Sequence, residues 1–236
     1  MRSLADGWFD SAADTYYEHL LFDNEQDPAQ RNNLALDPQE VYRALAPYRW
    51  LQFIPCLDPL DGRPGEFALT SDEYAAFLIQ TFDLYEQSLQ TGHPVSIRSF
   101  DNWVGMLLGH PPESCALSGV CGRSLMMESD GRVYPCDFYG LDEWCLGNIR
   151  EEPFRRMLTC SKEAQFVEAS LPVPKMCRAC RWYPLCRNGC RRERVSRDGE
   201  WITRWCSAHR AFFEYAYPKL VKVAERIKGR QAGTTG

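Results

Sequence analysis

The sequence predicts an α/β chain whose second half is held by metal–thiolate bonds rather than by a hydrophobic core. Three observations carry this. Residues 49–100 read strand, helix, strand. Ten of the 11 cysteines lie after residue 114. From about residue 112 to 210 regular periodicity fades, and it returns only in a final apolar-faced helix over about 209–228. The composition, 44% hydrophobic and 25% charged with a net charge of −5 over 236 residues, excludes a collagen-like, low-complexity or wholly disordered chain.

The elements follow in order. Residues 1–39 read as a helical, acidic lead-in with aromatics at Trp8, Phe9, Tyr16, Tyr17 and Phe22. Asp37 and Pro38 start a short helix as N-cap and first helical residue, ending near Pro47. RWLQFI (49–54) suits a buried strand that Pro55 stops. Thr70 and Glu73 form a capping box for a helix to about Gln90, and Gly92 fits its C-cap. VSIRSF (95–100) reads as a second strand and DNWVGMLLG (101–109) as a short helix. Strand–helix–strand favours parallel pairing, and two strands alone leave an open edge prone to association. Asp130-Gly131 between two apolar arms marks a hairpin. The final helix presents Phe212, Phe213, Tyr215, Ala216, Leu220, Val223 and Ile227.

No apolar run approaches the ~18 residues of a membrane span, and MRSLADGWFD lacks a signal peptide's apolar stretch. The expectation is a cytoplasmic protein with no membrane partner. An odd cysteine count in a reducing compartment points to metal or redox chemistry rather than to disulfides. Charge is split: residues 1–90 carry 16 acidic and 5 basic side chains, whereas residues 175–210 carry 10 basic and 3 acidic ones. The basic segment reads as a solvated face, a nucleic-acid grip, or compensation for a negatively charged metal cluster. The cysteines inside it favour the last, so no nucleic-acid partner is expected.

Eight cysteines form a pattern: Cys115-x5-Cys121-x14-Cys136, then Cys177-x2-Cys180-x5-Cys186-x3-Cys190-x15-Cys206. That is enough for two four-thiolate sites. Thiolates select zinc, copper(I) or iron–sulfur clusters. Structural zinc usually takes two close pairs, and only one C-x2-C exists here. The long spacings favour iron–sulfur, with zinc as the alternative.

ESDGRVYPCDFYGLDEWCLGNI, then CRACRWYPLCRNGCRRER and a later cysteine, resembles the C-terminal region of the anaerobic sulfatase-maturating enzymes. These are radical SAM enzymes with a SPASM domain. IPCLDPL (54–60) and SIRSFDNWVGMLLG (96–109) resemble the same family, so the likeness spans about residues 48–228. It implies a C-terminal remnant of a partial radical SAM (β/α) barrel over 40–112. A loop-rich SPASM domain with a C-terminal helix would follow over 113–236.

It implies two auxiliary [4Fe–4S] clusters, one on Cys115, Cys121, Cys136 and Cys190, the other on Cys177, Cys180, Cys186 and Cys206. Asp137 matches the family's general base, although on residues alone it reads as a turn cap. Leu57 becomes a contact for S-adenosyl-L-methionine (SAM). The implied activity is oxidation of a cysteine or serine of a sulfatase to formylglycine.

Two departures stand out. No three cysteines show the C-x3-C-x2-C that holds the SAM-binding cluster, and Asn188-Gly189 stands where the family has Gly-Gly. The expectation is therefore a truncated or split member, inactive alone: a gene fragment, a mis-called start, or a subunit completed by another radical SAM chain. The alternatives are a stand-alone electron-transfer or peptide-binding module, or a zinc-held binding domain. Cys56 stays open between packing and function. Cys145, Cys160 and the four histidines (His19, His93, His110, His209) are read as structural.

Overall fold

The computed structural model describes residues 37–59, 65 and 68–233, so the expected helical lead-in lies almost wholly outside the described residues. Helix α1 (Pro38–Leu45) starts as its sequence requires: the Asp37 carboxylate accepts from the amides of Gln39 and Glu40 at 3.0 and 3.1 Å. Helix α2 (Ser71–Gln90) carries the full Thr70–Glu73 capping box. Gly92, at φ +78°, takes the left-handed conformation that follows the helix end.

Between α1 and α2 lies β1 (Trp50–Leu51), and after α2 comes β2 (Ser96–Ile97). They pair in parallel, with Trp50 opposite Ser96 and Leu51 opposite Ile97. The expected β-α-β unit is present, but each strand is two residues long rather than six. Helix α3 (Arg98–Leu107) begins directly after β2, three residues before the expected start. Its early start places Phe100, Trp103 and Val104 at helical spacing on one buried face. No closed barrel forms among the described residues.

The last helix, α9 (Cys206–Gly233), packs against α2 and α3. Phe82, Phe100, Trp103, Phe212 and Phe213 fill the contact. Phe212 stacks on Phe100 at 5.7 Å and meets Phe82 edge-on at 5.6 Å. These rings are all about 1% exposed or less, so they supply much of the apolar burial that holds the layers together. Lys219 and the Tyr215 hydroxyl clamp Asp83 across the same seam at 2.6 and 2.7 Å. Trp182 and Leu185, which lie among the cysteines, join this core as well. Among the described residues no helix is long and apolar enough to cross a membrane.

From residue 115 the elements are short, as the lost periodicity predicts. Helix α4 (Cys115–Ser118) leads to a three-stranded antiparallel sheet of β3 (Met126–Met127), β4 (Arg132–Tyr134) and β5 (Gly147–Asn148). The Asp130-Gly131 turn joins β3 to β4 as expected, with Gly131 at φ +88°. Single-turn or two-turn helices follow: α5 (Phe154–Met157), α6 (Ser161–Glu168), α7 (Lys175–Arg178) and α8 (Tyr183–Cys186). A hairpin of β6 (Arg194–Arg197) and β7 (Glu200–Thr203) turns at Asp198-Gly199.

Candidate metal centre

The eight pattern cysteines come from six different places: α4, the loop before β3, the end of β4, helices α7 and α8 with the turns after them, and the start of α9. All are reduced and unbridged. Burial pushes the Cys190 thiol up to about 11, and its neighbours Cys115 and Cys121 add to the rise. Burial likewise pushes Cys136 up to about 12, with Asp137 and Cys190 contributing. Cys121 is raised by burial and by Cys115. These four therefore share one neighbourhood.

The second neighbourhood is separate. Burial pushes Cys186 up to about 12, and Cys206, Cys177 and Cys180 press it further. Cys177 is raised by burial, then by Cys206 and Cys180, and Cys206 by burial and Cys180. None of these mutual influences crosses between the two foursomes. Cys190 thus sits with Cys115, Cys121 and Cys136, although its sequence neighbours belong to the other set.

This donor chemistry fits iron–sulfur clusters. Burial raises most of these thiols and so disfavours their thiolate forms, and bound iron would supply the missing positive charge and displace the protons. Among the described residues no three Cys, His, Asp or Glu side chains converge on a point that one ion could fill.

Local chain geometry explains how the ligands are held. After α8 three consecutive residues, Arg187, Asn188 and Gly189, adopt positive φ and swing Cys190 away from Cys186. Asparagine, at position 188, is among the non-glycine residues that tolerate this conformation best. Its side chain adds contacts glycine lacks: Oδ1 accepts the Thr203 amide at 2.9 Å, and Nδ2 donates to the Trp201 carbonyl at 2.9 Å. His209, read as structural, lies buried with Nδ1 3.5 Å from the Cys186 sulfur. Burial lowers its pKa to about 4, so the ring is neutral.

Asp137 opens a short 3-10 turn (Asp137–Tyr139) and is exposed, accepting from the Cys136 thiol at 3.3 Å. Next to it Arg191 packs its guanidinium over the rings of Tyr139, Trp144 and Phe166 at 5.1, 5.0 and 4.8 Å. Leu57 and Cys56 line a cavity of about 590 Å³ shared with Tyr139, Arg191, Trp201 and Trp205. Asp58 fixes that loop: it pairs with Arg204, and its carbonyl accepts from Arg192 at 2.5 Å. The structure therefore brings Leu57 beside the cysteine-rich half, whereas Asp137 lies outside the cavity lining.

Cys145 and Cys160 stand apart from both foursomes. The Cys145 thiol faces the Gly147 carbonyl at 3.6 Å, and the Cys160 sulfur caps α6 by accepting the Glu163 amide at 3.4 Å. Sequence reasoning took Arg191 and Arg194 only as part of a basic run around Cys190 and did not foresee the contacts of the Asn188 side chain.

The profile of the SPASM family, an iron–sulfur cluster-binding domain, matches residues 115–181. The cysteine-type anaerobic sulfatase-maturating enzyme of Clostridium perfringens (strain 13 / Type A) is 38% identical over 203 residues, covering 84% of this chain and 55% of that protein. The cysteine-type enzyme of Clostridium novyi (strain NT) is 42% identical over 188 residues, 78% of this chain and 50% of that protein. The serine-type enzyme of Bacteroides thetaiotaomicron is 26% identical over 73% of this chain and 42% of that protein.

Among solved structures, hexahistidine-tagged anSMEcpe with bound AdoMet matches with a TM-score of 0.76 at 38% identity, covering 82% of this chain and 52% of that one. Native anSMEcpe with bound AdoMet and the Kp18Cys peptide matches with the same TM-score, over 82% and 55%. The chain spans about half the length of the relatives it matches. In sequence and in fold, this chain is similar to the anaerobic sulfatase-maturating enzymes over about half their length, and its residues 115–181 match the SPASM iron–sulfur cluster-binding domain.

Proposed function

We propose that this chain supplies the auxiliary iron–sulfur portion of a radical SAM enzyme that oxidises a sulfatase side chain to formylglycine. What supports the proposal is the match of residues 115–181 to an iron–sulfur cluster-binding domain, together with the influence of Cys115, Cys121 and Cys190 on one another and on Cys136, and of Cys177, Cys180 and Cys206 on one another and on Cys186. Cys115, Cys121, Cys136 and Cys190 would hold one [4Fe–4S] cluster, and Cys177, Cys180, Cys186 and Cys206 the other. When bound, such fully thiolate-ligated clusters supply electron transfer.

The chain's own residues do the rest. Arg192 and Arg204 dock the 56–59 loop onto the cysteine-rich half and keep Leu57 on the wall of the shared cavity, where we place SAM. The exposed Asp137 carboxylate takes the proton of the target side chain. Its present partner is the Cys136 thiol, which would be held as a thiolate by iron and would then leave the carboxylate free for that task. Higher identity to the cysteine-type relatives than to the serine-type one favours a cysteine target. Residues 40–112 represent the last part of the barrel, and residues 113–236 the SPASM domain.

No C-x3-C-x2-C occurs in these residues, so the SAM-binding cluster must be held from outside them. Reconstituted with iron, sulfide and SAM, the 236 residues alone form no 5′-deoxyadenosine, and its appearance would refute this assignment. In the completed enzyme, Asp137→Asn lowers formylglycine formation on a cysteine-containing sulfatase peptide by about 10²-fold or more, read by mass spectrometry. Unchanged turnover would remove Asp137 from the chemistry.

A further inference from the structure

Arg194 is 7% exposed, and every hydrogen bond it makes ends on a backbone carbonyl. Nε donates to Asn188 at 3.1 Å and Nη1 to Ser170 at 2.8 Å. Nη2 donates to Gly119 at 2.6 Å and to Gly189 at 3.1 Å. Among the described residues no carboxylate pairs with it. A buried guanidinium satisfied only by neutral acceptors is costly unless negative charge arrives from elsewhere.

The acceptors show where that charge comes from. Gly119 lies two residues before Cys121, and Ser170 accepts the Cys121 amide at 2.9 Å through its hydroxyl. Asn188 and Gly189 lead into Cys190, and the Asn188 side chain faces the Cys177 sulfur at 3.9 Å. The sulfurs whose charge reaches the guanidinium are Cys121 and Cys190 of one foursome and Cys177 of the other. Arg194 therefore fixes the backbone beside Cys121 and Cys190 and reaches the second set through Asn188, which lies two residues after Cys186 and faces Cys177.

Building on the two-cluster reading, we infer that Arg194 is a shared counter-ion and positioning residue that holds both auxiliary clusters in place and raises both reduction potentials together. A fixed positive charge stabilises the reduced, more negative form of a cluster, and net charge and hydrogen bonding are main determinants of its potential.

The test compares Arg194→Gln, which removes the charge, with Arg194→Lys, which keeps it. Both are purified anaerobically and titrated redoxwise with electron paramagnetic resonance readout of each cluster. Iron and sulfide content of the unsubstituted protein decides the two-cluster reading separately. In Arg194→Gln both midpoint potentials fall, each by about a tenfold change in the reduction equilibrium, ~59 mV for a one-electron couple. Arg194→Lys moves both by clearly less. A potential that stays in place for either cluster in Arg194→Gln, or equal shifts in the two variants, overturns the inference. Should Arg194→Gln hold no clusters, iron content of Arg194→Lys decides: two clusters retained support the shared charge, and loss of either overturns it.

Discussion

Asp101 allows a prediction worked through in full. It sits in α3 with its carboxylate accepting from the Tyr85 hydroxyl at 2.7 Å and from the Ser96 hydroxyl. Burial raises its pKa from an ordinary 3.8 to about 6, outweighing both hydrogen bonds. The folded state therefore holds this proton more tightly than the unfolded chain. Stability from this group is fully present below about pH 4 and is lost as pH rises through about 6. The rise from 3.8 to about 6 corresponds to ~3 kcal/mol over the full window, of which ~1 kcal/mol falls between pH 5 and pH 7.

Asp101→Asn keeps an acceptor for Tyr85 and removes the titration. Anaerobic urea unfolding of both proteins at pH 5, 6, 7 and 8 gives the difference in stability, in which every other titrating group cancels. The unsubstituted protein should lose ~1 kcal/mol relative to Asp101→Asn between pH 5 and 7, a drop of ~2–4 °C in relative Tm. A difference that is flat across this range would refute the reasoning.

Other perturbations have equally direct outcomes. Phe212→Ala removes a fully buried ring packed on Phe82, Phe100 and Trp103. It should cost ~3–5 kcal/mol in chemical denaturation. Gly119→Ala forces a side chain into φ +70° and into the Arg187 carbonyl. It should destabilise by ~1–2 kcal/mol or more in thermal melts and lower the iron bound near Cys121. Cys145→Ser and Cys160→Ser should leave iron and sulfide content unchanged, because neither thiol belongs to a foursome. Loss of half the iron in either would reassign the ligands.

The sequence revealed most where one residue type has one physical use. Asp37 with Pro38, Thr70 with Glu73 and Asp130 with Gly131 specify caps and a turn through local hydrogen bonds, and each forms as read. The strands were less legible. RWLQFI and VSIRSF carry apolar runs, but β1 and β2 have only each other as partners among the described residues, so pairing stops after two residues. The β6–β7 hairpin carries the same Asp-Gly signal at Asp198-Gly199 but was overlooked inside a segment dominated by cysteines and arginines.

At the site, spacing alone could count eight thiols but could not sort them, because the crossing of Cys190 depends on three successive positive-φ residues after α8. The interleaved grouping was implied by family resemblance. Arg194 was invisible in sequence because its role lies in four carbonyls drawn from segments 75, 24, 6 and 5 residues away.

The central claim is that the two foursomes hold two cubane clusters. Metal and acid-labile sulfide analysis of anaerobically purified protein tests it most directly. About eight iron and eight sulfide per chain is the predicted result, falling to about four of each in Cys190→Ala and in Cys206→Ala. About two zinc and no sulfide per chain would contradict it and leave a zinc-held binding domain.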